Sequence, residues 1–480
     1  MDEELFQYDD LELTPEQMHE MGRVCINIAV QHIKDLPESP RSGIRDAGEI
    51  VKNLRESVPE TPMNFDALIS ILMKQVFPHT INTAHPEYLG YIPGGGLYIS
   101  ALADFLGSAL NRYAGVWYAG PTLSRIEANV IEWFAEGVGF PKATRGILTS
   151  GGSLAHFSAV VTARESLLGD DLSKGIVYAS DQTHHSLIKS AMLAGIPQKN
   201  IKLLKSDQNF RADVDLFRQE IQRDSALGMR PFLIVGNAGT TNSGAVDSAV
   251  DLAGLACEFD CWFHIDGAYG GFFNLCDEGK RRLPGIERAD SIILDPHKGL
   301  FVPYGTGCLL VKDGEKLRKA HMLDADYLQD MHTPSGECNF AEYSPELSRP
   351  FRGLRIWLPL KYYGMKAFRT NLDEKLAISQ WMYQQFQKTS GFVCASPLDL
   401  TIFAFYYKPG NGGDPEKFTR RLLKEINASE RLFLSSTRLN NIFVIRICVL
   451  SFRTHLKQIK DIFAFIVETA RRLEREWENE

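Results

Sequence analysis

No apolar run in this 480-residue sequence approaches the roughly 18 residues that a membrane-crossing helix requires. Basic residues do not predominate either. Sixty acidic against 52 basic side chains give a formal charge of −8, whereas a nucleic-acid partner needs a concentrated basic face. Cysteine is sparse: Cys25, Cys257, Cys261, Cys276, Cys308, Cys338, Cys394 and Cys448 are too scattered for the disulfide framework of a small secreted domain. Cys257, Cys261 and His264 form a C-x3-C-x2-H cluster, but no second ligand pair follows at zinc-finger spacing. No metal is therefore expected, and the thiols read as reduced core residues. The acidic N-terminus, MDEELFQYDD, lacks the basic-then-apolar pattern of a secretory leader. A cytoplasmic address follows as the expectation, with neither nucleic acid nor membrane as partner.

What remains is an ordinary globular composition, 44% hydrophobic and 23% charged, long enough for several domains around sizeable cores. Residues 14–80 carry helical apolar spacing, as in TPEQMHEMGRVCINIAVQHIKDL and FDALISILMKQVF. From about residue 146 short β-rich runs alternate with helices: GILTSGG, KGIVYAS, PFLIVGNAGTT, CWFHIDGAYGG and SIILDPHK, then GTGCLLVKD. That alternation predicts an α/β fold with a mostly parallel, covered sheet. TIFAFYY and NIFVIRICVL read as further strands, and LKQIKDIFAFIVETARRLEREW as an amphipathic helix. The expected organisation is a helical N-terminal arm (1–80), a large α/β domain (81–365) and a smaller C-terminal α/β domain (366–480).

In an open parallel sheet, ligands bind beyond the carboxyl ends of the strands. The polar residues at those predicted ends are Ser150, Gly151, Gly152 and Ser153, then His184 and His185, Thr240 and Thr241, Asp266, and finally His297 and Lys298. The TSGGS turn opening a helix offers free backbone N–H groups to an anion, although such turns are also common as plain tight turns. It is neither a Walker A motif nor G-x-G-x-x-G, which weakens a nucleotide reading. Asp266 ends an apolar strand, where an unpaired carboxylate is costly; it is either a structural ion-pair partner or the counter-charge of a protonated heterocycle. Lys298 follows a buried strand, and partial desolvation is expected to lower its pKa and free its amine for a Schiff base. A phosphate cradle, an aspartate and a lysine on one sheet edge are what pyridoxal 5′-phosphate requires.

With HPEYLGYIP, SDQTHHS, HIDGAYGG and DPHK, the sequence resembles the group II pyridoxal-phosphate decarboxylases, the aromatic-L-amino-acid decarboxylase family, from about residue 10 to its end. The resemblance implies fold type I and a homodimer with its active site at the subunit interface. It makes Lys298 the Schiff-base lysine, Asp266 the partner of the ring nitrogen and His184 the residue that stacks on the ring and faces substrate. Gly152 and Ser153 become the phosphate-binding pair, Thr241 and Ala268 neighbours of the ring, and His297 a neighbour of the phosphate. Tyr91 and Ile92 fall in the substrate-pocket stretch. Tyr327, in LDADYLQD, matches the proton-donating tyrosine of a loop that covers the partner's site.

Three positions depart from the family pattern: Gly299 where tryptophan is common, Asp295 where asparagine is common, and Gly115 where an aromatic often projects. The implied reaction is decarboxylation of an L-amino acid, aromatic by resemblance, to its amine and CO2. Aliphatic or acidic substrates stay open because of the pocket departures. So do an amine-to-aldehyde synthase, which the resemblance links to phenylalanine at the loop position, another transaminase or lyase of this fold, and a non-catalytic pyridoxal-binding protein.

Overall fold

The computed structural model describes residues 11–41, 47–322, 334, 336–410 and 412–477. Residues 1–86 form one compact unit and residues 87–480 another. The first is helical. Its longest helix, Pro15–Asp35, starts where Thr14 accepts the Gln17 N–H and the Gln17 side chain caps Thr14 in return, with Pro15 at the first helical position. The shorter helices Ala47–Asn53 and Phe65–Ile71 follow.

The second unit is built on a seven-stranded sheet: β1 (Arg145–Thr149), β2 (Gly175–Ser180), β3 (Ile201–Leu204), β4 (Arg230–Asn237), β5 (Trp262–Gly267), β6 (Ser291–Leu294) and β7 (Gly307–Val311). The spatial order is β1-β7-β6-β5-β4-β2-β3. From β3 to β6 neighbours pair parallel, and β7 pairs antiparallel with both β6 and β1. Two antiparallel steps restore direction, so β1 runs the same way as β6. Its carboxyl end therefore lies on the same sheet edge as those of β2, β4, β5 and β6. Strands β2, β5 and β6 are buried along their whole length, as expected for a sheet with helices on both faces.

A second, antiparallel sheet in the order β10-β11-β9-β8 uses β8 (Phe392–Cys394), β9 (Ile402–Tyr407), β10 (Ser435–Leu439) and β11 (Ile442–Cys448). Phe386, Phe403, Phe405, Phe418 and Ile466 pack its own apolar core against the helices Met365–Lys388, Pro415–Ala428 and Leu456–Trp477. The sheet of residues 145–311 has the expected mostly parallel, α/β character, with a smaller α/β assembly after it. The strands β3, β8 and β10, only three to five residues long, are evident from the structure alone. Among the described residues no helix is long and apolar enough to cross a membrane.

Candidate active site

The carboxyl edge of the large sheet opens into a cavity of about 400 Å³. Gly152, Ser153, His184, Thr241, Asp266, Ala268, His297 and Lys298 all line it. Topology alone brings them together, since they span almost 150 positions in sequence.

Lys298 sits in the helical turn Pro296–Gly299, which begins directly after β6. Its Nζ is 2.8 Å from Asp295 Oδ2, three residues earlier. Burial by itself would push the ammonium's pKa down. The Asp295 carboxylate, and behind it Asp266, outweigh that penalty and leave it above the ordinary lysine value. This corrects the expectation of a lowered pKa: desolvation is present, but an acid one helical turn away overrides it. The neighbouring His297 donates from Nδ1 to the Thr306 carbonyl at 2.6 Å. Burial holds its own pKa below the usual imidazole value.

Asp266 is the next-to-last residue of β5, where register places it beside Asn237 of β4 and Ile293 of β6. Its Oδ1 accepts the Ala268 N–H at 3.1 Å, and its Oδ2 lies 3.3 Å from His156 Nε2. Burial opposes its ionisation, yet His156, Lys298 and the Ala268 N–H reverse that effect and hold the carboxyl well below its ordinary range. A permanent negative charge thus stands at the cavity wall.

The turn after β1 enters the helix Gly152–Leu167, whose first N–H groups have no partners within the helix. A Cβ at Gly152 would stand 3.1 Å from Asp295 Oδ2, so any side chain here would press on that carboxylate. Across the cavity, His184 caps the helix His185–Leu193: its Nδ1 accepts the Ser186 N–H at 3.2 Å and is 2.7 Å from Ser186 Oγ. With Nδ1 committed as acceptor, the neutral ring carries its proton on Nε2. Burial lowers its pKa, which favours that neutral form. The Thr241 carbonyl accepts from Arg446 Nε at 2.6 Å.

Tyr91 and Ile92 stand outside this cavity. Tyr91 adopts φ 46°, with its N–H on Ser435 Oγ at 3.1 Å, its carbonyl on the Arg446 guanidinium and its ring tilted against Phe433. Ile92 packs against the large core. Tyr327 lies outside the described residues. Sequence reasoning missed His156, Ser186 and Tyr269, all of which line the cavity. The available signal for His156 was a polar residue one helical turn beyond the glycines, within the otherwise apolar run LAHFSAVV.

The site suits pyridoxal phosphate on its own chemistry. A lysine amine, a carboxylate held ionised and a glycine-lined helix start face one volume. Comparison with known proteins agrees. The pyridoxal-dependent decarboxylase conserved domain matches residues 48–408. The chain is 35% identical over 458 residues to an aromatic-L-amino-acid decarboxylase of Bacillus atrophaeus, covering 95% of each. It is 27% identical over 476 residues to a phenylacetaldehyde synthase of Arabidopsis thaliana, covering 95% of this chain and 96% of that one. The solved Catharanthus roseus tryptophan decarboxylase in complex with L-tryptophan superposes with a TM-score of 0.90 at 25% identity, covering 96% of this chain and all of that one. The chain belongs to the pyridoxal-dependent decarboxylase family, and is an amino acid carboxy-lyase whose cofactor is pyridoxal 5′-phosphate.

Proposed function

We propose that this enzyme converts an aromatic L-amino acid to its amine and CO2, acting as a homodimer in the cytoplasm. The observation that carries the reading is the convergence of Lys298, Asp266 and the Gly152 helix start on one cavity. The Bacillus relative's aromatic substrate class and the tryptophan bound by the Catharanthus enzyme favour an aromatic side chain. Phe105 and Leu106 on the helix Tyr98–Leu110, with Tyr113 and Tyr118 beyond it, are exposed apolar or aromatic side chains that a second copy would cover. Eight free thiols fit a reducing compartment.

The chemistry that bound pyridoxal phosphate supplies is a sink for the electron pair left on Cα as CO2 departs. The protein's part is to position and charge. Gly152 and Ser153 would offer backbone N–H groups to the phosphate, and His297, held on the Thr306 carbonyl, would neighbour it. Asp266 supplies the negative charge that keeps the ring nitrogen protonated, while Thr241 and Ala268 confine the ring. Lys298 provides the anchoring amine. His184, with Nδ1 taken by Ser186, would have Nε2–H left for the substrate, and Tyr327 would supply the proton that Cα needs afterwards.

Incubation with each of the twenty amino acids, scoring CO2 and amine separately, tests the reading. Equal yields of both, greatest with an aromatic substrate, are expected. Borohydride should fix the cofactor on the peptide containing Lys298, and Lys298→Ala should abolish that label. Aldehyde and ammonia in place of amine would instead place the enzyme with the phenylacetaldehyde synthase, and a label on another lysine would remove Lys298 from its role.

A further inference from the structure

Strand β5 presents alternate residues to one face, so Trp262, His264 and Asp266 share a side of the sheet. The helix Gly152–Leu167 brings His156 onto that face. Four contacts then run in sequence behind the active site. Trp262 Nε1 donates to Ser291 Oγ at 2.8 Å, and Ser291 Oγ lies 2.8 Å from His264 Nδ1. His264 Nε2 lies 3.2 Å from His156 Nδ1, and His156 Nε2 lies 3.3 Å from Asp266 Oδ2. Ser291 is the register partner of His264 on β6, which fixes the middle of the chain to the sheet itself. His156, His264 and Ser291 are at most 1% exposed.

Counting protons gives the chain a direction. An indole N–H can only donate, and an ionised carboxylate can only accept. With both imidazoles in their neutral form, they and the serine hydroxyl carry one proton each between these ends. With the indole hydrogen that makes four protons for four contacts, and one arrangement serves them all: Trp262 to Ser291, to His264, to His156, to Asp266. Burial pushes the His264 pKa down to about 3 and so keeps that ring neutral.

We propose that His156 is a positioning residue for the cofactor's ring nitrogen, directed by the chain Trp262–Ser291–His264 to donate a neutral N–H to Asp266. The inference rests on the assignment of Asp266 to that nitrogen. Two consequences follow. Asp266 is clamped between His156 on Oδ2 and the Ala268 N–H on Oδ1, so its orientation is set before any cofactor arrives. In the proposed arrangement His156 Nδ1 accepts from His264, so His156 would meet Asp266 as a neutral donor and not as a cation that neutralises it in place. The carboxylate's full charge stays available to the protonated heterocycle, where a charge-assisted bond is roughly twice as strong as a neutral one.

The test measures binding to the apo-protein. Pyridoxal 5′-phosphate is compared with its 1-deaza analogue, in which C–H replaces the ring nitrogen, so the ratio of dissociation constants isolates the Asp266 contact. In the wild type the ratio should be about tenfold or more. His156→Phe should reduce it severalfold while leaving the analogue's affinity unchanged. His156→Gln, which retains a donor and an acceptor, should restore most of it. Ser291→Ala interrupts the chain away from the cavity and should reduce the ratio by a smaller amount. ¹⁵N spectra of the histidine-labelled apo-protein should show both rings as neutral Nε2–H tautomers, redistributed by Ser291→Ala. If His156→Phe fails to fold, Ser291→Ala and these spectra decide. Unchanged ratios in the variants, or equal loss of both compounds without rescue by His156→Gln, would overturn the proposal, as would an imidazolium at His156. Equal binding of the two compounds by the wild type would overturn the ring-nitrogen assignment instead, whatever the tautomers show.

Discussion

Lys298 and Asp295 sit one helical turn apart, and that short separation governs the chemistry of the amine. At 2.8 Å the carboxylate stabilises the ammonium, so the free amine needed to capture the cofactor is scarce near neutral pH. Asp295→Asn keeps the shape and removes the charge. The lysine pKa should then fall by about one unit or more, because an opposite charge at this range typically shifts a group by 1–3 units. The rate at which the apo-protein binds pyridoxal phosphate, followed by absorbance across pH, should have its midpoint moved to lower pH, with capture at pH 7.5 about tenfold faster. An unshifted profile would show that Asp295 does not set the amine. In the sequence Asp295 stood out as a departure near a phosphate. Its pairing with Lys298 was hidden there, because DPHK places the two side chains together only once it winds into a helical turn. His156 was hidden for a similar reason: a histidine within an apolar helical run carries no mark of the strand it faces.

At the level of elements, the glycine turn after β1 is shaped as much by its neighbour strand as by its own residues. Gly307 of β7 pairs with Thr149, and a Cβ placed there would lie 2.5 Å from the Gly151 carbonyl carbon and 2.7 Å from Thr149 Oγ1. Thr149 Oγ1 donates to the Gly151 carbonyl at 2.9 Å, so Gly307→Ala must displace the turn that presents the helix N–H groups. Overpacking of this kind typically costs about 1–3 kcal/mol. If that strain falls on the cradle, affinity for pyridoxal phosphate should drop about tenfold, measured by equilibrium titration of the apo-protein. Unchanged affinity would mean that the turn accommodates the methyl elsewhere. This dependence could not be read from TSGGS alone, since it arises from the antiparallel insertion of β7 between β1 and β6. The buried strands themselves were legible, because GIVYAS, CWFHIDG and SIIL are continuous β-branched and apolar runs. Four-residue β3, with its partly exposed side chains, offered no such run.

At the scale of the whole molecule, buried histidines make the apo-protein sensitive to acid. Burial holds His264 at about 3 and His85 at about 4, against an ordinary imidazole value of 6.5. Below 6.5 the unfolded chain takes up protons that the folded state refuses. Their stabilisation is therefore complete above that value and is lost as pH falls through the folded values. Asp247 acts in the opposite sense: burial raises it to about 6, so its contribution is lost as pH rises through that value. Burial also lowers His184, His297 and His321, so histidines outnumber Asp247 and the net effect is a loss of stability as pH falls from 6 to 4. The apo-protein's melting temperature should fall over that interval and level off above about pH 7, and His264→Asn should flatten the slope. A melting temperature constant from pH 4 to 7 would contradict this balance.

Assembly gives the last prediction, which concerns where the proton for Cα comes from. On the proposed function, Tyr327 in LDADYLQD would be the proton donor, and the resemblance to the family's covering loop implies that it serves the partner's site. A phenol can protonate a carbanionic carbon, and positioned acids and bases contribute about 10²–10⁴-fold. Tyr327→Phe keeps the ring and removes the proton, so amine should fall while CO2 release continues, with the balance appearing as aldehyde and ammonia. If the loop serves the other subunit, heterodimers of Lys298→Ala and Tyr327→Phe chains pair the two defects in one site and leave the second site intact. Such heterodimers should recover amine formation up to half the wild-type rate per dimer, although neither homodimer makes appreciable amine. Verified heterodimers without recovery would mean that the loop acts on its own chain. Amine production at the wild-type rate by Tyr327→Phe would remove the tyrosine from the reaction altogether.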